Sequence, residues 1–125
     1  LTMPGELLPE IGIGGYDGSA LFSDAAALLD PDNPLPPDLS AAPQGPYLIE
    51  RLAPKGAPRP WIVGLGNDEL GYIIPEYDFI LAEQGPYLNE AEGDHYEETN
   101  SLGPATAGLL EIEADRLIEF ANLGR

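Results

Sequence analysis

The sequence predicts a mixed α/β fold: a small layered α/β piece with short strands, long Pro/Gly-rich loops and a C-terminal helix, part of a larger α/β domain. Three observations carry this reading. A short apolar run, "WIVGLG", is bounded by Pro60 and Gly64, as a buried central strand would be. One stretch, Pro104 to Ala121, has helical periodicity over several turns. The 15 glycines and 14 prolines make up nearly a quarter of 125 residues, while 43% of the chain is hydrophobic. That balance describes a domain that folds but is rich in loops.

The elements follow in order. In "LTMPGELLPE" a strand ends near Met3, and "PGE" is a tight turn that presents Glu6. Pro4 and Pro9 oppose a helix across this stretch. In "SALFSDAAALLD", Leu21, Ala25 and Leu28 recur at helical spacing and predict a short helix. Residues 31–46 hold six prolines in sixteen positions, a surface excursion without regular structure. "YLIERLA" (47–53) reads as a short strand or one helical turn, and "YIIP" and "DFIL" (78–81) as short strands. "AEQGPYLNEAEGDHYEETNS" is polar and reads as a loop. The helix over 104–121 opens on Pro104, which suits a first turn, with Ser101 or Asn100 nearby as cap and Gly124 as stop. Its apolar face is Leu110, Ala114, Leu117 and Ala121; Glu111, Asp115 and Glu119 form a solvated face. "QGPYLIE" (44–50) and "QGPYLNE" (84–90) nearly repeat forty residues apart, with unmatched flanks. Both read as Pro-turns that lead into extended segments, without a solenoid.

Bulk charge narrows the function classes. Five basic residues face 22 acidic ones, for a net charge of −17. Such a chain is repelled by nucleic-acid phosphates and anionic lipid, so no nucleic-acid partner is expected. With no cysteine there is no disulfide, thiolate metal site or cysteine nucleophile. No run approaches the roughly 20 apolar residues of a transmembrane helix, and no signal-peptide pattern opens the chain. Any targeting segment is expected upstream of Leu1.

The loop after "WIV" reads "GLGNDELGYIIP". Its glycine spacing fits neither a dinucleotide turn nor a P-loop, since Gly71 falls five residues after Gly66 and Tyr72 stands where a P-loop has lysine. Asn67, Asp68 and Glu69 would also repel phosphate. "DPDNP" hints at calcium, yet Leu35 and Ala41 occupy the sixth and twelfth positions of an EF-hand loop. An Asx-Pro turn explains it better. "EGDHYEET" surrounds the single histidine, His95, with acids. His95 and Glu97 are acid/base or single-ligand candidates there, but one histidine builds no two-histidine zinc site.

Three stretches in order, "MPGE" (3–6), "VGLGNDELGYIIP" (63–75) and "HYEETNSLGPATAGLL" (95–110), resemble the last part of the catalytic domain of the neutral/alkaline (non-lysosomal) ceramidase family. There a P-G-E turn precedes a strand that ends in G-L-x-N and leads to a tyrosine. A Y-E motif, then a G-P and a long helix, follow. The resemblance covers about half of the chain and breaks from Ile13 to Arg59. It implies a zinc amidase that hydrolyses the N-acyl amide of ceramide or a related N-acyl lipid. Glu6 and Tyr72 then correspond to two zinc ligands, and Tyr96 to the catalytic tyrosine that polarises the scissile carbonyl. Asn67 would shape the turn that delivers Tyr72.

The family's two histidine ligands have no counterpart in this sequence; they belong to polypeptide upstream. The resemblance therefore makes this chain a C-terminal portion that is inactive alone, with the N-terminal part of the same enzyme and a lipid amide as partners. The sequence fixes no compartment; the family points to a secreted or periplasmic one. The alternative is a non-catalytic acidic binding or interaction module, with calcium held by "DPDNP" or "EAEGD".

Overall fold

The structure is a computed structural model that describes residues 1–14, 32, 39–53, 60–79 and 96–123. Its elements are β1 (Glu6–Leu7), α1 (Pro9–Gly12), α2 (Leu48–Leu52), β2 (Tyr72–Ile73), α3 (Tyr96–Thr99) and α4 (Ala105–Leu123). Single 3-10 turns lie at Leu39–Ala41 and Glu76–Asp78. The mixed α/β class is as expected.

The sheet is organised around residues 1–8. Successive peptide groups of an extended chain point to opposite sides. Here the odd residues serve one neighbour: Met3 N–H donates to Val63 O, and Leu1 O and Gly5 O accept from Val63 and Leu65. The even ones serve the other: Glu6 and Leu8 N–H donate to Gly71 O and Ile73 O, and Pro4 O accepts from Leu70. β1 and β2 run parallel with Glu6 opposite Tyr72 and Leu7 opposite Ile73. Isolated parallel bridges, Thr2 to Val63 and Tyr72 to Ser101, extend the ladder on both sides.

This changes the sequence-based order. "WIVGLG" is not the buried central strand; residues 1–8 are central and 61–65 flank them. Trp61 and Val63 are exposed, and only Ile62 of the run packs on the core. The "PGE" turn is a bend at Pro4 and Gly5, with Glu6 already in β1. Pro9 opens α1 at its first turn, where its missing N–H is no loss.

The core lies on one side of the sheet. Met3, Ile11, Leu48, Ile73, Ala107 and Ala114 are buried together, with Leu1, Leu7, Ile62 and Leu110 packed around them. "YLIERLA" resolves as the helix α2, which begins after Tyr47 with reciprocal capping between Tyr47 and Glu50. The first "QGPYL" copy thus leads into a helix rather than an extended segment. The 3-10 turn at Leu39–Ala41 lies inside the proline-rich excursion, and Ala42 beside it is buried. Asp78 closes a 3-10 turn instead of opening the strand read in "DFIL".

α4 confirms the long helix and half of its expected inward face. Ala114 is buried and Leu110 packs on the core as expected, joined by Ala107, whereas Leu117 is 59% exposed and Ala121 is exposed too. Small residues let α4 lie close to α2, and Arg51 of α2 then reaches Glu111 at 2.7 Å and Asp115 at 2.8 Å. Two acids read as solvated are therefore ion-pair partners. Asn100 and Ser101 do not cap α4: Thr106 N–H donates to Gly103 O, and the Asn100 side chain closes α3. The short helix read over 19–30, the second "QGPYL" copy and the Gly124 stop lie outside the described residues.

One glycine is indispensable to this ladder. Gly71 has φ +83°, and a Cβ there would overlap the Asn100 carbonyl oxygen that accepts from Tyr72 N–H. Gly71→Ala should cost about 2 kcal/mol or more, because both the positive φ and the close approach are lost. Urea unfolding measures it; a change below about 0.5 kcal/mol would contradict this packing.

Candidate functional site

The ladder decides which side chains share a face. Leu7 and Ile73 turn to the core, so their neighbours Glu6 and Tyr72 stand side by side on the opposite, open face. Trp61, Val63 and Leu65 are exposed at alternate positions of the flanking run. Tyr96, at the start of α3, brings its ring edge-on to Tyr72, with centroids 5.8 Å apart and an interplanar angle of 72°. The three side chains border one open cavity of about 260 Å³, together with Glu69, Asn100 and Leu65.

Turn chemistry between residues 64 and 71 supports this arrangement. Asn67 has φ +77°, a left-handed conformation that asparagine tolerates, and its side-chain amide reaches Thr2 Oγ1 at 3.5 Å. It shapes the turn and does not line the cavity. Leu65 at φ +53° is the unusual residue, since leucine gains nothing locally from that conformation. Strain of this kind sits on the cavity rim.

The site is electrostatically negative. Partial burial pushes the Tyr72 phenol above its ordinary value, and the nearby Glu6, Tyr96 and Glu97 add to the effect. In the protein alone, Tyr72 is thus a neutral hydrogen-bond donor at physiological pH. A cation between Glu6 and Tyr72 would reverse this balance, because it favours the ionised form of both groups. A carboxylate and a phenol in register are both oxygen donors; the carboxylate is an ordinary zinc ligand, and a four-coordinate site would need two ligands more. Among the described residues, no group of three or more His, Asp or Glu side chains gathers as a complete metal site.

Away from the cavity lining, Asp78 and Glu10 are two acids that act on one another. Burial, then the charge of Glu10, raises Asp78 from 3.8 to about 6, with further contributions from Glu98 and Glu97 against a hydrogen bond with Tyr77. Burial also raises Glu10, whose Oε2 is enclosed without a hydrogen-bond partner among the described residues.

The structure thus gathers Glu6, Tyr72 and Tyr96, places Glu97 near Tyr72 on α3, and keeps Asn67 in the supporting turn. His95 lies outside the described residues, as do "EAEGD" and, apart from Asp32, "DPDNP". Sequence reasoning missed Glu69, Asn100 and Leu65 as cavity residues. Asn100 had a readable signal: it follows Tyr96 by four residues, the spacing at which a side chain returns to a helix-end carbonyl. No family model, curated protein or solved structure matches the chain. No helix among the described residues is long and apolar enough to cross a membrane.

Asp78 gives the site a pH signature. Its folded-state pKa of about 6 exceeds the ordinary 3.8, so the folded protein holds this proton more tightly than the unfolded chain. The stabilisation is complete below about pH 4 and is lost as pH rises through about 6. Asp78→Asn keeps an oxygen for Tyr77 but never ionises. Thermal melts should show the variant roughly 3 °C or more above the parent near pH 7 and level with it near pH 4. The same difference at both pH values would refute the assignment.

Proposed function

We propose that this chain is the C-terminal portion of a ceramidase-like, zinc-dependent amidase. The observation that carries the reading is the in-register pair Glu6 and Tyr72, with Tyr96 against it, around one cavity. Residues far apart in sequence, singled out for one chemistry, lie on one open face.

The division of labour follows from position. Glu6 and Tyr72 would hold the metal through oxygen, with two further ligands supplied by the rest of the enzyme. Bound zinc supplies Lewis acidity and a more acidic water. Tyr96, in ring contact with Tyr72 but from a different element, takes the role of donor to the carbonyl oxygen of the substrate. Its hydrogen bond strengthens as negative charge develops there. Water oxygen adds to the acyl carbon, the C–N bond breaks, and the amine departs with a proton. The products are a fatty acid and a free amine, a sphingoid base when the substrate is ceramide.

Two surface features support membership of a larger α/β domain. Parallel ladders are almost always covered on both faces, and among the described residues one face carries the exposed Glu6, Val63 and Leu65. On α4, Leu109, Ile112, Leu117 and Phe120 are exposed, an apolar surface that suits a further layer.

The test is expression of the complete open reading frame that encodes this chain. The account expects one zinc per polypeptide and release of fatty acid from a fluorescent N-acyl sphingosine. Glu6→Gln and Tyr72→Phe should lower zinc content and activity together. Tyr96→Phe should retain zinc and lose about 100-fold or more in kcat. Full activity in Glu6→Gln and Tyr96→Phe would overturn the proposal.

A further inference from the structure

Asn100 touches both aromatic elements of the site, by two different parts of the residue. Its backbone carbonyl accepts from Tyr72 N–H at 3.0 Å, which fixes the start of β2. Its side-chain Nδ2 donates to the Tyr96 carbonyl at 2.8 Å, and its own N–H donates to the same oxygen at 3.1 Å. That carbonyl also accepts from Thr99 Oγ1 at 3.1 Å. The turn of α3 that carries Tyr96 is thereby closed on the residue that grips Tyr72. Four residues are too few for a helix to persist in water on its own hydrogen bonds. The orientation of Tyr96 must come from such ties.

We infer that Asn100 is a positioning residue: its carbonyl and carboxamide together set the angle and distance between the Tyr72 and Tyr96 rings, and hence where both phenol oxygens meet the cavity. Gly71 is the other half of the device, because only a residue without a Cβ lets the Asn100 carbonyl approach Tyr72. As a statement about catalysis this rests on the amidase reading above. As a statement about ring geometry it does not, and the test separates the two.

The experiment compares the chain with Asn100→Ala and the isosteric Asn100→Asp, which removes the Nδ2 donor and retains side-chain shape. Near-UV circular dichroism reads the tyrosine–tyrosine coupling. Both variants should lose part of the near-UV tyrosine signal, with far-UV spectra close to the parent. In the full-length enzyme, kcat should drop about tenfold or more while KM and zinc content hold. Parent-like near-UV spectra in both variants would overturn the inference. If Asn100→Ala does not fold, Asn100→Asp decides alone on the near-UV signal. An altered spectrum in an inactive, zinc-free enzyme would sink the amidase reading and leave the ring-positioning role standing.

Discussion

Successive peptide groups of residues 1–8 point to opposite sides, and hydrogen bonds form on both. Leu1, Met3 and Gly5 bind the 63–66 run and Pro4, Glu6 and Leu8 bind 70–73, so an eight-residue segment becomes the spine of a parallel ladder. The spine needs close backbone approach. A Cβ on Gly5 would stand 2.5 Å from Gly71 O, and one on Gly71 would overlap Asn100 O. The two glycines are therefore steric conditions for the register that opposes Glu6 to Tyr72. Once that register is set, pleating leaves no choice about faces: Leu7 and Ile73 join the core, and Glu6 and Tyr72 stand on the open side.

Electrostatics give the open side its chemical character. The chain carries a net charge of −17, and few cations are present to offset it. Arg51 is engaged with Glu111 and Asp115 across α2 and α4, and Arg116 pairs with Glu113 on the surface of α4. Near the cavity, burial first and neighbouring acids second hold the proton on the Tyr72 phenol, and the same two causes hold it on the Asp78 carboxyl.

The sequence showed the long helix because several turns of apolar periodicity agree with Pro104 at its start. It showed the cluster of Glu6, Tyr72 and Tyr96 through the ordered motifs around each residue, not through any local pattern. The central strand is legible only in part. A strand ending near Met3 is expected, but Pro4 and Gly5 argue against its continuation to Leu8, while "WIVGLG" has the apolar run of a buried strand; hydrogen bonds to both sides of residues 1–8 outweigh local propensity. The inward face of α4 is legible at Leu110 and Ala114 and missed at Ala107 and Leu117, because leucine looks like core and alanine does not; a small side chain suits a close helix contact. The roles of Arg51 and Asn100 depend on tertiary partners that no spacing rule names.

The central claim is that Glu6 and Tyr72 together form a donor pair for a metal ion. The most direct measurement is zinc titration of the full-length protein, followed by the ultraviolet difference band of ionised tyrosine. The account predicts a phenolate band that rises to one equivalent of zinc and is absent in Tyr72→Phe, with Glu6→Gln requiring more zinc to reach it. A tyrosine spectrum unchanged by bound zinc, or a band that survives in Tyr72→Phe, would contradict it.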